Sequence, residues 1–110
     1  MSVNYYAVTP DTPEGDEGLH IGQHAGGWEF LFRAHPDLGL VSSEAWREYL
    51  SRPDVKILAE SGYEVPVEEF MADATLRPAE ARAKGQRMRV RPRPSWADDK
   101  GCPFADNEFC

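Results

Sequence analysis

The sequence predicts an α+β fold: a single compact domain over residues 1–110, with a small antiparallel sheet and two or three short helices. Three observations predict it. The N-terminal stretch alternates apolar and polar residues with the two-residue period of strands, broken by Pro- and Gly-rich turns. The middle of the chain carries two short runs with apolar residues at helical spacing. The length, 110 residues, is that of one ordinary domain, and a hydrophobic share of 41% is enough for one core.

Residues 3–8, VNYYAV, are β-branched and aromatic and read as a strand. Residues 9–18, TPDTPEGDEG, are Pro, Gly and acid, and read as a solvated loop. Residues 19–24, LHIGQH, form the second expected strand, with Leu19 and Ile21 on one face. Ala25, Gly26 and Gly27 make the turn, with a glycine where positive φ is required. Residues 28–33, WEFLFR, follow as a third strand, with Trp28, Phe30 and Phe32 on one face.

Ser42 or Ser43 caps a helix with Glu44 in its first turn; Ala45, Trp46, Tyr49 and Leu50 share a face, and Pro53 ends it. Residues 55–59, VKILA, read as a strand, Ser61-Gly62 as a turn, and Tyr63 to Val65 as a return. Pro66 suits the first position of a second helix, VEEFMADA, with Val67, Phe70 and Met71 inward. Residues 77–94 are rich in arginine and proline. Met88 and Val90 alternate with arginines there, as in an edge strand with one wet face or a partly flexible segment. In the tail, Trp96, Phe104 and Phe109 are available to pack back on the body.

Charge narrows the function classes. The chain carries a net −7, yet residues 77–93 hold seven of its twelve basic residues and one acid. An acidic body with one basic strip does not suit general nucleic-acid binding, which needs a broadly positive field. No apolar run approaches the ~20 residues of a membrane span, and the N-terminal MSVNYYAVTP lacks the basic and apolar regions of a signal peptide. The expectation is a cytoplasmic protein with Cys102 and Cys110 as free thiols.

The run HIGQHAGGWEFLF, His20 to Phe32, resembles a group of small uncharacterised proteins of bacteriophages and prophages that carry HIGK-(S/R)-S-x-GW before an aromatic strand. Trp46 within SSEAWREYL, the segment ILAESGYEVPVEEF and the C-terminal DDKGCPFADNEFC are similar to further parts of that pattern, D-x-x-G…F-x-x-x-E-F in the last case. The resemblance spans most of the chain outside 77–94. It implies a phage origin and a compact α+β fold, and it implies no reaction; with no signal peptide expected, such a protein would work in the host cytoplasm. The chain departs from the pattern at Gln23, where the group has lysine, and in lacking paired cysteines upstream of His20.

Candidate chemistry is sparse. His20 and His24 are metal-ligand types that Cys102 and Cys110 would complete as a zinc set. Strand residues four apart lie ~13 Å apart, too far for one ion unless a bulge at Gly22 or the turn intervenes, so no metal or cofactor is expected. Neither cysteine sits at a predicted helix N-terminus that would activate a thiol. The acid pairs Glu68-Glu69 and Asp98-Asp99, and Asp106 with Glu108, read as solvated faces, and no phosphate loop or nucleophile elbow is present.

His20 reads first as a strand histidine satisfied by hydrogen bonds. Its functional alternative is a polar handle beside Gly22, His24 and Trp28, where glycine lets a ligand approach. Arg87, Arg89, Arg91 and Arg93 would align on one edge and capture carboxylate or phosphate; the bland alternative is an edge paired with the chain's own acids. The sequence therefore points to a non-enzymatic phage accessory protein that binds a host or phage protein partner, with homodimerisation through the edge as an option. The alternatives are a nucleotide-binding or nucleotide-sequestering protein, using His20, Trp28 and the arginines, and a small metal-dependent enzyme using His20, His24 and nearby acids.

Overall fold

A computed structural model describes residues 2–107. Among these, seven strands and three helices form one α+β unit. The strands are β1 (Ser2–Val8), β2 (Leu19–Ala25), β3 (Leu31–Arg33), β4 (Lys56–Ala59), β5 (Glu64–Val65), β6 (Trp96–Ala97) and β7 (Pro103–Ala105). They make one sheet in the order β5-β4-β1-β2-β3-β7-β6. Every pairing is antiparallel except β3 with β7. The helices are α1 (Ser43–Leu50), α2 (Val67–Ala74) and α3 (Pro78–Ala83). No helix of the described residues is long and apolar enough to cross a membrane.

Register decides which side chains meet. Tyr5 pairs with Ala59, Ala7 with Ile57, and Ile57 in turn with Val65. Across the sheet Phe32 pairs with Phe104, which pairs with Trp96. Cross-strand partners share a face, so these residues form one apolar surface. Phe32, Phe104 and Trp96 stack as a ladder, with centroids 5.0 Å and 5.8 Å apart. Against this face α1 delivers Trp46 and Leu50, and α2 delivers Phe70, Met71 and Ala74. Trp46 is fully buried, and its indole N–H donates to the Arg33 carbonyl at 3.1 Å, so the core's largest side chain carries no unmet donor.

The helix caps follow their sequences. The Ser42 side chain accepts from the Ala45 amide at 3.1 Å and starts α1. Pro66, expected inside the second helix, is instead its cap residue with ψ 144°, and α2 begins at Val67. The expected third strand also begins later, at Leu31. The turn closes with the Trp28 amide on the Ala25 carbonyl at 3.0 Å, with Gly27 at φ 80°. Gly27 and Glu29, on either side of Trp28, then bond to a different segment: Arg89 N–H donates to the Gly27 carbonyl, and Glu29 N–H to the Arg89 carbonyl.

That contact changes the reading of residues 77–94. The segment contributes α3 and then only an isolated bridge, Arg89 with Trp28, in place of an edge strand. Its prolines at 92 and 94 and the positive φ of Arg93 keep it from running on as a ladder. The tail returns as β6 and β7; Phe109 and Cys110 lie outside the described residues.

Candidate functional site

A β-bulge separates the two strand histidines. Tyr5 pairs with Gly22 but Tyr6 pairs with His20, so Ile21 is the extra residue. Without it, residues 20 and 24 would share a face. With it they face opposite ways. His20 sits on the face away from the helices, its Nε2 2.9 Å from Asn4 Oδ1 and its ring stacked on Tyr6. Its carbonyl takes a hydrogen bond from His35 Nε2 at 2.8 Å. His24 pairs with Val3 on the helix side, edge-on to Phe30. The bulge thus moves the histidines apart, and no three His, Cys, Asp or Glu side chains converge among the described residues. Cys102 is fully buried in the core, where burial pushes its thiol up, and Cys110 lies outside the described residues.

Gly22 serves packing. A Cβ there would lie 2.2 Å from the Leu31 carbonyl oxygen and 2.5 Å from the Phe30 ring. What approaches this glycine is the protein's own Phe30, in place of the ligand that the sequence suggested. Trp28 lies under the Arg89 guanidinium, whose carbon is 5.5 Å from its ring centre. The expected row of four arginines is broken at Arg91. Its side chain turns inward and donates Nε–H to the Glu29 carbonyl at 3.0 Å, while its backbone N–H donates to Glu29 Oε2 at 2.6 Å. Arg77 completes the set, donating to Glu29 Oε1 at 2.7 Å. Glu29 is buried, so its charge needs these partners. The segment from 77 to 91 is thereby tied to the turn before β3. Arg87, Arg89 and Arg93 stay exposed.

The cleft with the most to offer chemically lies between β1, β2, the β4–β5 hairpin and α2, and has a volume of about 350 Å³. Its floor is apolar and rigid: Phe30, Phe70, Ala59 and Ala74, all buried. Tyr5 forms the inner wall, 5.2 Å from Phe70 and 6.2 Å from Phe30 by ring centre. The exposed rim holds Ser61, Tyr63, Glu69 and Asp73. Glu69 and Asp73 are one helical turn apart on α2 and so present their carboxylates on one side. Among the described residues no lysine or arginine lines the cleft. Tyr5 registers this field: burial first, then the charges of Asp73, Tyr63 and Glu69, push its hydroxyl above the ordinary tyrosine value. It is a neutral wall and not a phenolate.

Of the candidate site residues from the sequence, His24 alone lines this cleft. Glu69 read there as half of a solvated acid pair and Tyr63 as part of a return strand, and Tyr5 and Asp73 were not site candidates. The four-residue spacing of Glu69 and Asp73 was visible, but those acids read equally well as a solvated helix face, and only the β4–β5 hairpin brings Tyr63 opposite them. No family model, curated protein or solved structure matches this chain.

Proposed function

We propose that the chain is a non-enzymatic, phage-encoded accessory protein that works in the host cytoplasm by binding a host or phage protein. The observation that carries the binding role is the cleft. A preformed apolar floor, open to solvent and rimmed by aromatic and charged side chains, suits an anchor residue from a partner. Arg87, Arg89 and Arg93 form a second contact patch for an acidic surface. The phage origin rests on the resemblance of the His20–Phe32 run, the Trp46 helix and the tail.

The test is capture of partners from host and phage lysates by the purified protein and by Tyr63→Ala, whose side chain is exposed and not needed by the core. A partner retained by the parent protein and lost by Tyr63→Ala supports the reading. Capture that ignores the cleft, together with a melting shift of several degrees on adding a nucleotide or a chelator, overturns it in favour of the nucleotide or metal alternatives.

A further inference from the structure

We infer that the cleft between α2 and the β1–β2 face is a receptor for a single arginine side chain presented by a protein partner. The inference rests on the reading of the chain as a protein binder and names what the cleft takes. Three features select this occupant. The first is charge: Glu69 and Asp73 place two carboxylates on one edge of a cleft that, among the described residues, no lysine or arginine lines. An anionic ligand, nucleotide phosphate included, would meet like charge there. The second is the aromatic surface. Tyr5 lies inside and Tyr63 at the rim, with Phe30 and Phe70 beneath. A flat cation gains from such rings and leaves its alkyl stem on the apolar floor. The third is shape. Carboxylates one turn apart suit the fork of a guanidinium, which spreads its donors in a plane, better than the point charge of an ammonium.

The cleft's field also argues that the occupant is a cation. Burial first, then the charges of Asp73, Tyr63 and Glu69, raise the Tyr5 hydroxyl above its ordinary value, the direction in which a negative potential acts, and such a potential favours a bound cation. Three of the protein's own arginines are already engaged elsewhere. Arg77 and Arg91 are committed to Glu29, and Arg89 to Trp28.

The experiment is an NMR titration of the full chain with N-acetyl-arginine methylamide, with its neutral isostere N-acetyl-citrulline methylamide, and with the lysine analogue Nα-acetyl-lysine methylamide. Saturable shifts confined to Tyr5, His24, Tyr63, Glu69 and Asp73 are expected for arginine, with no saturation for citrulline. The double variant Glu69→Gln/Asp73→Asn should bind arginine about tenfold more weakly, and raised salt should weaken the parent protein in the same direction. Both substituted side chains are exposed, so an unchanged melting temperature shows that the fold is intact. Equal response to citrulline, tighter binding of the lysine analogue, or no saturable shift overturns the inference. So does filling of the cleft by a second copy, seen as the same shifts appearing with protein concentration alone. These outcomes leave the lysate test untouched: a partner lost in Tyr63→Ala with no arginine response sinks the arginine assignment and keeps the binder.

Discussion

Gly22 and the bulge beside it set the geometry of the histidine strand. The backbone of β3 and the ring of Phe30 occupy the space that a side chain at 22 would need. Relief requires moving a carbonyl oxygen, which is not the soft end of a flexible side chain. Gly22→Ala should therefore destabilise the protein by about 1–3 kcal/mol or more, measured by urea unfolding, and should broaden the His24 and Phe30 resonances that flank the cleft. The same strand shows why the histidines were only half legible. Their spacing was plain, but an inserted residue leaves no mark in composition, and it reverses the face of everything beyond it. Cys102 gives a second test. Its thiol is buried and raised by that burial, so alkylation of the folded protein at pH 8, read peptide by peptide, should leave Cys102 unmodified until denaturant is added.

Helix α1 is tied to the tail by a carboxylate. Asp98 Oδ2 accepts from the Ser43 amide at 2.7 Å, at the first turn of α1, and Oδ1 accepts from the amides of Cys102 and Lys100. Burial alone would raise Asp98; the Ser43 hydroxyl and these amides outweigh it and hold the group below its ordinary value. A carboxyl that titrates lower when folded stabilises the fold above its unfolded pKa and loses that contribution as pH falls through the folded one. Asp98→Asn should lower stability at pH 7 by about 1 kcal/mol, and the loss should shrink as thermal melts are repeated toward pH 3. Glu29 plays the matching part for residues 77–91. Glu29→Ala strands Arg77 and Arg91 against a buried site and should cost about 3 kcal/mol, with hydrogen exchange rising first in that segment. The sequence showed α1, α2 and the first two strands because each has a period long enough to read. It hid α3, whose one buried residue is Ala81, and it could not show Glu29 as the anchor of arginines 48 and 62 positions away.

The sheet is completed by β6 and β7, after every helix of the described residues. β7 enters between β3 and β6, and its parallel pairing with β3 joins Phe32 to Phe104. Strands of three and two residues have no period to detect, and a parallel partner about seventy positions away has no turn to announce it. The tail's aromatic content was legible as packing material, while its place inside the sheet was not. The α+β class survives this because it depends on the hairpins and helices alone. The physical consequence is a fold that cannot form by parts. Phe104 and Cys102 are fully buried in the same cluster as Trp46 and Phe32, and Asp98 and Trp96 reach back to Ser43 and to the Val41 carbonyl. Removing everything after Arg93 would open the apolar face of β3, leave the β3 ladder unpaired on one side and free the start of α1. That is too much for a domain of this size to lose, given a total stability of about 5–15 kcal/mol. The truncated chain should lose the dispersed methyl and aromatic resonances of the parent and bind a hydrophobic dye. A folded spectrum from residues 1–93 would mean that the tail merely decorates a sheet already complete without it.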